Sequence, residues 1–143
     1  MPASRRPRKA YRPRLINAPV TAGLVEQFTE VLRTAEIGMR LAAPTVDHYD
    51  AVARILNVLG PVVIARFGAR HEVSIAIRSA ALHMNAAADR AARGEPRMRR
   101  VELQAVGHAI DAVTQALPYL DIREIFMRMR ALDVLRVTDG ATA

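Results

Sequence analysis

Cysteine is absent from all 143 residues. That removes disulfides, thiolate metal sites and cysteine nucleophiles together, and it fits a reducing compartment, the cytoplasm by default. Lysine is almost absent as well: Lys9 stands alone against twenty arginines. This skew reflects the codon usage of a GC-rich genome as much as any physical preference, so the placement of the arginines says more than their number. Only six residues are aromatic, while alanine supplies much of the 51% apolar share. Such a composition suits helices that approach one another closely. No window reaches about eighteen uncharged apolar residues, so a membrane span is excluded.

The length is that of one ordinary domain, enough to bury roughly two-thirds of the surface that the unfolded chain exposes. The net charge of +7 is unevenly spread. Residues 1 to 14 carry six cations, Arg5, Arg6, Arg8, Lys9, Arg12 and Arg14, and no acid, leaving fifteen arginines against fourteen acids in the rest. A nearly neutral body with a basic N-terminal arm differs from a domain with a basic face. The stretch after the arm, "LINAPVTAGLVEQF", brings Asn17, Pro19, Glu26 and Gln27 where an export signal needs a continuous apolar segment. The arm is therefore expected not to be an address label.

Pro2, Pro7 and Pro13 deny the arm a regular helix, and residues 1–18 are expected to be extended or disordered. From Thr21 the pattern changes to helical spacing, with Leu24, Phe28, Val31, Leu32, Ala35 and Met39 on one face. Glu26, Glu30, Arg33 and Glu36 fall largely on the other. Pro44 ends that helix, and Thr45 or Asp47 can cap the next, which runs through Tyr49, Val52, Ala53 and Leu56. Gly60-Pro61 predicts a kink or restart there, with Val62 to Ala65 continuing as helix before Gly68 closes it.

A third helix spans about His71 to Arg93, with Val73, Ile77, Ala80, Met84, Ala87 and Ala88 on one side and Ile75 and Leu82 on another, two stripes that suit the centre of a bundle. Leu103, Val106, Ile110, Val113 and Leu117 then repeat at 3-4-3-4 spacing, a seam for another helix of this chain or of a second protomer. Pro118 stops that helix and Asp121 can cap the last, whose apolar face is Ile122, Ile125, Phe126, Met129 and Leu132. Glu36–Arg40, Asp50–Arg54, Asp89–Arg93 and Glu124–Arg128 place an acid four residues before a cation and support these registers. The expectation is an all-α bundle of four to five helices over residues 19–137, with a frayed tail at 138–143 and a homodimer possible through the seam.

Catalytic motifs are missing. His48, His71, His83 and His108 show no spacing that puts two metal ligands on one helical face, and Ser74 and Ser79 stand in no nucleophile elbow. The glycines are scattered singly, so no loop cradles a phosphate. His108 and Asp111, three apart on one helix, make a catalytic pair or, more simply, a surface pair. No metal, no cofactor and no enzymatic activity are expected.

Charge points instead to a polyanion. Each cation that neutralises a phosphate releases counterions, and six contacts on duplex DNA give a salt slope near about −5. A second basic cluster, Arg90, Arg93, Arg97, Arg99 and Arg100, with only Glu95 opposing, lies around the connection between the third and fourth helices. Nucleic acid, DNA before RNA, is the expected partner of the arm, with support from Arg97, Arg99 and Arg100. The alternative is a solvated tail beside a solvated turn; no helix-turn-helix, zinc finger or RNP signature accompanies the basic residues.

"RKAYRPR", followed by "LRTAEIGMRLA" and then "TVDHYDAVARILNVL", resembles small basic proteins encoded in prophages of proteobacteria. Those begin with an Arg/Lys-rich segment containing Tyr-Arg-Pro and continue as a short all-helical domain. The resemblance covers roughly the first half of the chain and departs from the pattern at Ala10, where a second basic residue is common. It implies a phage accessory protein that regulates transcription or interferes with a host factor. It carries over no catalytic residues, and it keeps open a second role, a protein-binding inhibitor or adaptor acting on a host complex through an exposed helical face.

Overall fold

The computed structural model describes residues 18–41 and 44–142, with the side chains of the last helix described as far as Leu132. Among the described residues five helices follow in order: α1 Ala22–Met39, α2 Val46–Phe67, α3 Glu72–Ala92, α4 Arg100–Ala116 and α5 Ile122–Thr142, with a 3-10 turn at Leu117–Tyr119 before α5. Local chemistry sets each start. Thr21 Oγ1 accepts from the Leu24 N–H at 3.3 Å, and Asp121 Oδ1 accepts from the Arg123 N–H at 2.9 Å. Each bond satisfies one of the amides that a first turn leaves orphaned. His71 does the same for α3 through Nδ1, which accepts from the Val73 N–H at 3.2 Å. At the other ends, Gly68 and Gly94 take positive φ, 94° and 91°, a conformation that lets the chain leave α2 and α3 without a Cβ penalty.

The first four helices run alternately up and down. Arg33 lies against Asp111 and a Cβ on Gly107 would meet Glu36, so α1 and α4 are antiparallel. Gly38 faces His48 across α1 and α2. Tyr49 donates its hydroxyl to the Met84 carbonyl at 2.6 Å across α2 and α3, and Arg90 meets Glu102 across α3 and α4. The result is a four-helix bundle in which each helix packs on its two chain neighbours in a ring, with α5 laid along α2. Leu32, Met39, Leu59, Ile110, Leu117, Leu120 and Ile125 fill the centre and are fully buried.

Several expectations change in three dimensions. Pro61 does not interrupt α2, because Val58, Leu59, Val62 and Val63 on both sides of it are buried on one continuous face. The 3-4-3-4 seam is used inside the chain: Val106, Ile110, Val113 and Leu117 have no exposure, so this seam is not available to a second protomer. The two stripes of α3 are not both covered. Ile75 and Leu82 remain 51% and 71% exposed, since α3 lies at a corner of the bundle and only one of its faces meets neighbours. Val31 and Phe126, placed on buried faces by their spacing, are about half exposed, whereas Glu36 is buried. α5 also continues to Thr142, beyond Val137, because nothing after Pro118 breaks it.

Candidate nucleic-acid interface

Arg5, Arg6, Arg8, Lys9, Arg12 and Arg14 lie outside the described residues, but the point from which they extend is fixed. The Ala18 carbonyl accepts from the Ile122 N–H at 2.8 Å, and Pro19 pairs with Asp121 in an isolated antiparallel bridge. The chain entering α1 is thereby fastened to the start of α5, just past the C-terminal end of α4. Arg97, Arg99 and Arg100 stand at the opposite end of α4. Seventeen residues separate the two ends, about 25 Å at 1.5 Å per residue. Ala18 and the cluster therefore lie at opposite ends of the bundle.

Arg90, counted in the cluster by sequence, does not belong to it. It is 7% exposed and its guanidinium bonds both carboxylate oxygens of Glu102, itself 3% exposed. The same guanidinium reaches the Arg97 carbonyl at 3.5 Å, and Glu102 Oε1 accepts from the Arg99 N–H at 2.7 Å. One buried ion pair thus ties down both the end of α3 and the start of α4, together with the connection between them. The hydrogen bonds to Arg90 hold the Glu102 carboxyl below its ordinary value, against the opposing effect of burial.

With the connection clamped, the exposed arginines have a defined base. Arg97 and Arg100 border a cleft of ≈ 350 Å³, whose other walls are Met98, Leu103, Gln104, Leu41 and Arg40. Arg40 is the member that sequence reading missed as a site residue. Its signal in the sequence is the Glu36–Arg40 pair, whose spacing points to a helix register and not to a site. In the structure Glu36 Oε2 accepts from Arg40 at 3.1 Å and Oε1 from Arg33 at 2.9 Å. Arg33 also bonds Asp111 on α4, and both carboxylates raise its already high pKa. This ladder from Asp111 through Arg33 and Glu36 to Arg40 steers the last cation toward the cleft.

No family model, curated protein or solved structure matches this chain.

The interface is accordingly read from its own chemistry. Three guanidinium groups from two segments border one cleft, and each presents donors in the fork geometry that matches phosphate oxygens. His108 and Asp111, weighed above as a surface pair, are both exposed, and the Asp111 carboxylate is taken by Arg33. They lie toward the other end of α4, on a separate cleft. Among the described residues no helix is long and apolar enough to cross a membrane.

Proposed function

We propose that this protein binds nucleic acid, DNA before RNA, as a non-enzymatic phage-type accessory protein with a regulatory role inside the cell. The observation that carries this reading is the convergence of Arg40, Arg97 and Arg100 on one cleft, braced from below by a buried ion pair. The six cations of the arm add further phosphate contacts. Phosphate contacts of this kind give affinity and register more than sequence choice.

The salt dependence of binding tests it. Nine cations on phosphate give a slope of log K against log salt of about −8 on duplex DNA. Replacing the six arm cations by glutamine is expected to bring the slope to about −3, and replacing Arg40, Arg97 and Arg100 alone to about −5. Anisotropy titrations at several salt concentrations measure all three. Slopes that ignore both sets of substitutions would sink the reading.

A second reading has one observation in its favour. Ile75 and Leu82, two turns apart on α3, form an exposed apolar stripe suited to a protein partner, such as a host complex that the protein inhibits or adapts. A stoichiometric partner retained from nuclease-treated host lysate, and lost when both residues become aspartate, would favour it over nucleic acid.

A further inference from the structure

We propose that the cleft between α3 and the C-terminal half of α4 receives an unpaired nucleobase, with guanine the preferred one. The inference rests on the nucleic-acid reading and adds to it the strandedness of the target. The cleft lies between the start of α3 and the C-terminal half of α4, holds ≈ 500 Å³, and is lined by Phe67, His71, Glu72, Asp111, Gln115 and Tyr119 among others.

Its chemistry is mixed in a way that suits a planar heterocycle. The Phe67 and His71 rings stack with centroids 4.7 Å apart and planes 25° from parallel. Tyr119 adds a second aromatic face and is 65% exposed, so the core does not need it. His71 spends Nδ1 as the acceptor that caps α3, which leaves Nε2 as the donor of the ring. Gln115 supplies an amide with both donor and acceptor.

The carboxylates of Glu72 and Asp111 argue against a phosphate in this cleft and for N–H donors. Asp111 is already bonded to Arg33, which leaves Glu72 for the ligand. Guanine presents N1–H beside its N2 amine, two donors matched to the two oxygens of one carboxylate, while its O6 and N7 accept. His71 Nε2–H and the Gln115 amide are the complementary donors. A metal ion does not explain the same residues, because among the described residues no group of three or more acidic or histidine side chains is placed to hold one.

The position supports a base that belongs to a strand. Tyr119 precedes by three residues Ile122, whose N–H holds the Ala18 carbonyl. Arg66 Nε donates to the Tyr119 carbonyl at 3.1 Å, placing a cation beside Tyr119. A phosphate flanking a seated base would meet Arg66, while the base itself meets the carboxylate and the rings.

The test compares three labelled probes by anisotropy with the full chain: a twelve-nucleotide thymine strand with one central guanine, an all-thymine strand, and the first strand in duplex form. Guanine in the strand is expected to tighten binding, and Tyr119→Ala to weaken binding of that strand about tenfold while leaving the duplex unchanged. Glu72→Gln is expected to erase the difference between the two single strands without changing the all-thymine affinity. Both side chains are exposed, and an unchanged melting temperature checks that each variant folds. Equal affinity for both strands in the unsubstituted protein, or equal losses on strand and duplex, overturns the inference and leaves the polyanion reading standing. No binding of any probe overturns both.

Discussion

Glu102→Ala lowers the stability of the domain by about 3 kcal/mol, measured as a fall of roughly 10 °C in melting temperature. The size follows from what the substitution leaves behind. Glu102 is 3% exposed and receives both Arg90 N–H groups as well as the Arg99 amide. Without it a guanidinium remains enclosed with only the Arg97 carbonyl to bond, and the first turn of α4 loses its return bond. Removing one partner of a buried pair costs more than the intact pair contributes. The double variant Arg90→Met, Glu102→Leu is therefore expected to recover most of the loss.

Acid probes the same pair. The Glu102 carboxyl is held below its ordinary value of 4.5 chiefly by the Arg90 hydrogen bonds. Its contribution is fully present above that value and is lost as the pH falls below it through the depressed folded value. The gap in melting temperature between the unsubstituted protein and Glu102→Gln should narrow as the pH drops below 4.5. Asp121, lowered by Arg123, loses its own contribution in the acid range as well, but equally in both proteins. A gap that stays constant down to pH 3 would show that the pair is not ionic in the way described.

The pair also marks where sequence reading stopped. Helix limits were legible because their signals are local: Thr21, Thr45, Gly68 and Pro118 act within one turn of themselves. Arg90 and Glu102 are twelve residues apart on two helices, and no spacing rule joins them, so sequence alone groups Arg90 with the exposed cations around it. Glu36 was assigned to the polar face of α1 for a similar reason. What buries it is Gly107 on α4, where an added Cβ would stand 2.8 Å from Glu36 Oε2. Periodicity ranks the faces of a helix by polarity, but it does not say which faces the ring of neighbours will cover. Ile75 and Leu82 belong to a real stripe that none of the described helices covers, and the cleft of Arg40, Arg97 and Arg100 depends on the antiparallel pairing of α1 and α4 for its third member.

Gly38→Ala is expected to destabilise the protein by about 2 kcal/mol, although the same change in an open helix stabilises it. A Cβ at this position would lie 2.4 Å from Cγ and Cδ2 of the His48 ring. That ring is not free to swing away without cost, since His48 Nδ1 lies 3.4 Å from the Thr45 N–H and 3.1 Å from its hydroxyl at the start of α2. Alanine therefore either spreads α1 from α2 or breaks the cap. Gly23, on the same helix, has nothing within 4 Å of an added Cβ, and Gly23→Ala should stabilise by about 0.5 kcal/mol. Truncating the obstacle reverses the sign at Gly38: in a His48→Ala background, Gly38→Ala should be neutral or stabilising, and thermal melts of the four chains give the coupling directly. If Gly38→Ala instead stabilises the unsubstituted protein as Gly23→Ala does, then α1 and α2 do not approach as closely as the bundle requires, and the ring of helices that carries Arg40 to its cleft would have to be redrawn.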